Sequence, residues 1–315
     1  YKLNVRDAGS LLHEVLESSL AYFSGRDLKK ITREEIFETA ERVLAERAPE
    51  YRFGYLVSSQ RARRQTKGLA VMARIAVFEA IRQLAAGSFM QVGRELVFAP
   101  GRDYPPIILP TSAGELKLHG VVDRADMMYL ENERYVRIVD YKSGAAQFQA
   151  EKVADGSMLQ LPLYMDAVLS AFSGARAAGA FYFHIKELEG EEKILLSGPS
   201  VNIPEVIEGM DPGALNGENG VLSLRKSKSG LTGKNLLSPG GFDRLLSLAR
   251  ARAGEIAADI ASGKIEGAPL DYGEQESPCR YCEHGLLCGL KEKGVFLRKA
   301  CSGLELEEKQ PEDSE

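Results

Sequence analysis

The sequence has no apolar run approaching the roughly 18 residues that a membrane-crossing helix needs, so no membrane partner is expected. It has four cysteines in 315 residues. That is too few for a disulfide framework, and the expected compartment is a reducing cytoplasm. No internal repeat, heptad run, collagen period or low-complexity stretch is present, which removes the fibrous and disordered classes. A phosphate loop is missing as well. Ser229-Gly-Leu-Thr-Gly233-Lys234-Asn235 has Lys228 where the pattern requires a glycine and Asn235 where it requires Ser or Thr, so no ATP site is expected in this segment.

What remains is a chain with 44% hydrophobic and 27% charged residues, long enough for one large domain or two ordinary ones. Its net charge of −5 argues at face value against a polyanionic partner. The distribution removes that argument. Six acidic residues between Glu305 and Glu315 face the single base Lys309, so the tail carries the whole excess and the body is neutral. Two basic clusters stand out in that body, Arg61, Arg63, Arg64 and Lys67, and Arg225, Lys226, Lys228 and Lys234. Each is either a solvated face or a track for a phosphate backbone. The chain begins at Tyr1 and enters a helical pattern almost at once, as a segment cut from a longer polypeptide would.

The first 87 residues read as helices. Leu11, Leu12, Val15, Leu16 and Leu20 follow a 3.6-residue period, Thr32 and Glu35 form a capping box, and a long helix is expected from Ser58 to Ala86. From Ser88 the period approaches two. Strands are expected over Gln91–Phe98, Pro106–Leu109, Glu115–Leu130 and Arg134–Tyr141, the last two joined as a hairpin, then a helix over Gly156–Ser173 and a strand over Ala177–Lys186. Residues 187–241 shift to Gly, Pro, Ser and Asn and read as a loop-rich insertion; Phe242–Gly263 reads as an amphipathic helix. The division is a helical segment (1–87), an α/β core with a mixed sheet (88–275), a cysteine segment (276–301) and an acidic tail (302–315).

The chemistry concentrates on the hairpin. Asp140 and Lys142 share a strand face, and a turn centred between Glu131 and Asn132 sets Asp123 opposite Asp140. Facing carboxylates repel unless one is protonated or a cation lies between them, and Mg²⁺ or Mn²⁺ suits such an oxygen-rich pair. The alternative is an ordinary surface pairing of Asp140 with Lys142 or Arg124. Gln160 and Tyr164 stand at i and i+4 on the next helix and point the same way. His13 lies on an otherwise apolar helix face, as a core histidine or as a ligand. Near the C-terminus, Cys279, Cys282 and Cys288 at C-x₂-C-x₅-C suit either zinc, with His284 or Cys301 as fourth ligand, or an iron-sulfur cluster.

Leu12-His13-Glu14, Gly120-Val-Val-Asp123-Arg124, Ile138-Val-Asp140-Tyr141-Lys142-Ser-Gly144 and Leu159-Gln160-Leu-Pro-Leu-Tyr164 stand in this order within about 150 residues. Together they resemble the RecB-like branch of the PD-(D/E)xK nuclease superfamily, whose members carry Asp or Glu at the position of Asp140. The resemblance implies a restriction-endonuclease-like core, a central mixed sheet flanked by helices. It implies a metal held by His13, Asp123, Asp140 and the carbonyl of Tyr141, with Lys142 acting on the attacking water and Gln160 and Tyr164 bracing the site and contacting DNA.

The C-terminal run from Ile256 through Pro269 to the three cysteines is similar to the end of the AddB family of helicase-nuclease subunits. That likeness implies a 4Fe-4S cluster on Cys279, Cys282 and Cys288, whose fourth cysteine lies upstream of Tyr1. It also implies an AddA-like partner subunit and an exonuclease acting on single-stranded DNA from an unwound duplex end, in double-strand-break processing. A catalytically silent DNA-binding module of the same complex and a stand-alone RecB-like exonuclease are the alternatives.

Overall fold

The structure, a computed structural model, describes residues 5–51, 54–112, 114–144, 147–186, 192–218, 220–228, 230–233, 235–265, 267–272, 279, 282–284, 298–302 and 304–306. Three helices come first. Helix α1 (Val5–Tyr22) buries Leu11, Leu12, Val15, Leu16 and Leu20 along one stripe, as its apolar spacing dictates. Thr32 caps α2 (Arg33–Arg47) by accepting the N–H of Glu35 at 3.2 Å. Ser59 caps α3 (Gln60–Ala86) by accepting that of Ala62 at 3.1 Å. Each cap contributes about 1 kcal/mol and sets where its helix starts.

Strands β1 (Met90–Phe98), β2 (Ile107–Thr111), β3 (Gly114–Leu118), β4 (Gly120–Leu130) and β5 (Glu133–Lys142) follow. The expectation of one strand over 115–130 is corrected: the chain breaks at His119, β3 pairs only with β2, and β4 enters the main sheet beside β1. The break adjoins Gly120, where a Cβ would lie 2.7 Å from the Tyr164 ring, so a larger residue there would have to displace that ring. Between β4 and β5, partners run from Leu130↔Glu133 to Arg124↔Val139, the register expected for a turn at Glu131 and Asn132. Glu131 takes a φ of 54°, as a two-residue hairpin loop of this hand requires.

The helix expected over 156–173 is two helices, α4 (Ala150–Ala154) and α5 (Gln160–Ala171). Pro162 accounts for the late start of α5, because its missing N–H is tolerated only in a first turn. Strand β6 (Ala175–His184) then pairs parallel to β5.

The region 187–241 contributes more than loops. Within it β7 (Ser200–Val201) and β10 (Leu236–Leu237) extend the main sheet, α6 (Pro204–Met210) packs on the core, and β8 (Arg225–Ser227) with β9 (Gly230–Thr232) forms a separate hairpin. Helix α3 anchors the region: Gln83 Nε2 donates to the Ile194 carbonyl at 2.7 Å, and Glu79 accepts the Ile194 N–H at 2.9 Å.

The six-stranded sheet has the order β1-β4-β5-β6-β7-β10. Alternation along β5 and β6 gives it two covered faces. Tyr135, Val139, Tyr141, Phe181 and Phe183 pack with α1–α3 and α6. Val136, Ile138, Ala180 and Tyr182 pack with α5 and α7 (Pro239–Ala261), whose Phe242, Leu245, Ala249 and Ala253 are buried. Ile260, in the last turn of α7, is exposed.

Past α7, β11 (Leu270–Asp271) pairs with β12 (Arg298–Lys299) and closes the neck of the cysteine segment. Asp155 holds both sides of that neck. It accepts the Tyr272 hydroxyl at 2.9 Å and the Cys301 N–H at 2.8 Å. Among the described residues no helix is long and apolar enough to cross a membrane.

Candidate functional site

The β4–β5 ladder ends at Arg124↔Val139, and Asp123 and Asp140 are the residues just beyond that last pair. Asp123 Oδ2 accepts the Tyr141 N–H at 2.6 Å. His13 Nδ1 lies 3.5 Å from the same oxygen, carried there by α1. The helix approaches this closely at Gly9, one turn earlier, where a Cβ would come within 2.7 Å of Ser143 Oγ. The His13 ring stands edge-on to Tyr141 with centroids 5.6 Å apart, so it is neither a plain core histidine nor a solvent-facing one.

On the α5 side, Lys142 Nζ is 2.5 Å from Asp140 Oδ2. Gln160 binds both: its Nε2 donates to Asp140 Oδ1 and its Oε1 accepts from Lys142 Nζ, each at 2.9 Å. Tyr164, one turn further along α5, lays its ring against Gly120 at the start of β4. The pairing of Asp140 with Lys142, one of the two arrangements open from sequence, is thus formed. The pairing of Asp140 with Arg124 is not.

Burial, and then the neighbouring Asp140 carboxylate, push the Asp123 carboxyl up to about 8. Asp140 is raised too, by burial, against the opposing pull of Lys142. Burial lowers the His13 imidazole, and Lys142 lowers it further. At neutral pH the close contact of His13 with Asp123 is therefore between a neutral ring and a largely protonated acid rather than an ion pair.

Two features of the site have no signature in the sequence. Glu95 on β1 takes a φ of 45°, and its carboxyl, raised by burial and by Glu17, adds to the field at Asp123. Its position reads as ordinary strand because left-handed backbone leaves no trace in composition. The second feature lies behind Tyr141. Arg124, Asp126 and Arg137 are fully buried, with Asp126 Oδ2 3.2 Å from Arg124 Nε and 2.8 Å from Arg137 Nε. The Arg137 guanidinium also lies 4.8 Å from the Phe89 ring centroid. The pattern Asp123-Arg-Ala-Asp126 is visible in the sequence, but the sharing of one carboxylate between two arginines requires the pairing with β5.

Among the described residues, no three His, Cys, Asp or Glu side chains converge as a metal-ligand set. The donor chemistry nevertheless fits a hard divalent cation. Two buried carboxylates that cannot comfortably both ionise, with a neutral imidazole beside them, gain most from a positive charge placed between them.

Of the other expected residues, Cys279 is half-buried and Cys282 exposed, the Cys282 N–H donating to the Cys279 carbonyl at 3.4 Å. Cys288 and Lys234 lie outside the described residues. Arg61, Arg63, Arg64 and Lys67 are carried on the first half of α3, where Arg61, Arg63 and Arg64 stand in an exposed stretch; Arg225 and Lys226 are exposed on the β8–β9 hairpin, with Lys228 in its turn.

The profile of the PD-(D/E)XK nuclease superfamily matches residues 1–289. The chain is similar to the B subunit of the ATP-dependent helicase/deoxyribonuclease of Alkaliphilus oremlandii, at 29% identity over 91% of this chain and 27% of the relative. It is likewise similar to proteins of the same name from Clostridium tetani, at 28% identity, and Caldanaerobacter subterraneus, at 30%, with the same coverage. The chain therefore spans about a quarter of the length of the curated relatives it matches.

Proposed function

Because this chain belongs to the PD-(D/E)XK nuclease superfamily, we propose that it is a Mg²⁺- or Mn²⁺-dependent deoxyribonuclease module that hydrolyses single-stranded DNA as an exonuclease. We place it within a helicase-nuclease complex of the kind its relatives' names describe, serving double-strand-break processing. The observation that carries this reading is the Asp123–Asp140 pair with Lys142 and Gln160 at one sheet end.

His13, Asp123, Asp140 and the Tyr141 carbonyl would hold the cation. When bound, it neutralises charge on the phosphoryl oxygens and makes water a usable nucleophile at neutral pH. The protein's own part is positional. Lys142 presents its ammonium group to the attacking water and to a non-bridging oxygen, where it stabilises charge that grows in the transition state. Gln160 sets the Lys142 head group by accepting from it, while its amide N–H holds Asp140 in place. Tyr164 keeps the start of β4, and with it Asp123, against α5. A catalytically silent DNA-binding module is the weaker reading, since the acid and the lysine that phosphodiester hydrolysis needs are both in place.

The cysteine segment belongs to the same proposal. Cys279, Cys282 and Cys288 would supply three thiolates to a 4Fe-4S cluster, with the fourth from elsewhere in a longer polypeptide and an AddA-like subunit as motor partner. The β11–β12 neck and the Asp155 clasp support this by bringing the ends of the segment together.

The test is release of nucleotides from an end-labelled single strand in Mg²⁺, in Mn²⁺ and in chelator. The reading requires cleavage with either metal and none in chelator; chelator-resistant cleavage, or none under any condition, counts against it.

A further inference from the structure

A groove of about 1270 Å³ opens beside the carboxylate site, between the end of β5, the end of β6 and the β8–β9 hairpin. It starts at Ser143 and Gly144, the residues directly after Lys142, and continues past His184, the β6 partner of Lys142. His184 ties this end together, with Nδ1 2.7 Å from the Gly144 carbonyl and Nε2 3.3 Å from Ser197 Oγ. The volume exceeds the roughly 300–1,000 Å³ usual for a small-molecule pocket.

Charge identifies the occupant. The described residues lining the groove include Lys193, Arg225 and Lys186, the last 3.5 Å from Glu192 at the rim, and no Asp or Glu. Such a lining concentrates anions. Neutral hydrogen-bonding side chains also line it, among them Gln147, Gln149 and Ser223, of the types that bind phosphate and sugar oxygens, while Thr232 and Asn235 donate to the Arg225 and Phe148 carbonyls. Ser200 Oγ, buried at the groove, has no hydrogen-bond partner among the described residues. The two phenylalanines of the lining, Phe148 and Phe181, are buried in the cores and offer no face for a base to stack on, and the third ring, His184, is held by Gly144 and Ser197.

Resting on the nuclease reading above, we propose that this groove holds the sugar-phosphate backbone of single-stranded DNA on one side of the scissile phosphate, with the bases turned outward. Lys186, Lys193 and Arg225 are its phosphate contacts. The groove adjoins the site at its Lys142 and His184 end. It therefore registers one flank of the substrate, and it does so without reading sequence.

The test compares the chain with its Lys186→Glu/Lys193→Glu variant. In chelator, the affinity for an oligothymidylate of about 15 nucleotides is measured against salt, and separately the Mg²⁺-dependent hydrolysis of bis(p-nitrophenyl) phosphate, which is too small to reach the groove. The double variant should bind about tenfold more weakly, and the salt slope should fall by about 1.4, at roughly 0.7 for each phosphate of a single strand that the variant no longer neutralises. Hydrolysis of the small diester should not change. Unchanged affinity and slope, or equal weakening by Lys29→Glu/Lys30→Glu in the helical layer, would overturn the groove. Failure of the nuclease reading looks different: the unaltered chain would leave the small diester intact, whatever the binding arm reports.

Discussion

The carboxylate of Asp123 accepts the backbone N–H of Tyr141 at 2.6 Å, linking the end of β4 to the strand that carries Asp140 and Lys142. That bond ties Asp123 to the strand of the second acid, and its burial, with the neighbouring Asp140 carboxylate adding to the effect, has a measurable consequence. With its carboxyl pushed up to about 8 from an ordinary 3.8, Asp123 binds its proton more tightly in the folded chain than in the unfolded one. Folding stability of the metal-free chain should therefore fall as pH rises through that window. Asp123→Asn, which does not titrate, should flatten the fall and be more stable than the unaltered chain at about pH 8, by on the order of a few kcal/mol, with little difference near pH 4. Urea unfolding in chelator at the two pH values measures this; parallel pH profiles would contradict it.

The buried Arg124–Asp126–Arg137 group makes a separate prediction. One carboxylate serves two guanidinium groups in a site closed to water, so removing its charge leaves two buried cations without their shared ion-pair partner. Asp126→Asn should cost about 3–5 kcal/mol, the range for breaking a buried ion pair by deleting one partner. A denaturation midpoint close to that of the unaltered chain would show that the arginines find other compensation.

Helix α3 carries Arg63 and Arg64 on its exposed first half. If this run tracks a DNA backbone, Arg63→Glu/Arg64→Glu should weaken single-strand binding and flatten its dependence on salt, because fewer counterions are then released on binding. Equal affinity and equal slope would return the run to an ordinary solvated helix face.

The site was legible in the sequence where local rules determine geometry. Alternation put Asp140 and Lys142 on one strand face, the hairpin register put Asp123 across from Asp140, and helical spacing put Gln160 and Tyr164 together. What stayed hidden depends on long-range packing. Nothing local announces that Glu95 adopts left-handed backbone, or that Asp126 faces Arg137 on the next strand inside the protein. The 187–241 region reads as loop because β7 and β10 are two residues each, too short to show a period. Val201, Val206, Ile207 and Leu222 are nevertheless buried. The strand predicted over 115–130 breaks at His119 for a similar reason, since the Tyr164 ring that rests on Gly120 comes from a helix about 40 residues later.

The most direct test of the central claim is the rate of Mg²⁺-dependent single-strand cleavage by Asp140→Asn, measured beside the unaltered chain with thermal unfolding as a control for folding. The expected result is a folded variant whose cleavage is reduced by about three orders of magnitude or more, the scale of loss when a metal ligand and the lysine paired with it fail together. Cleavage by folded Asp140→Asn at the rate of the unaltered chain would contradict it.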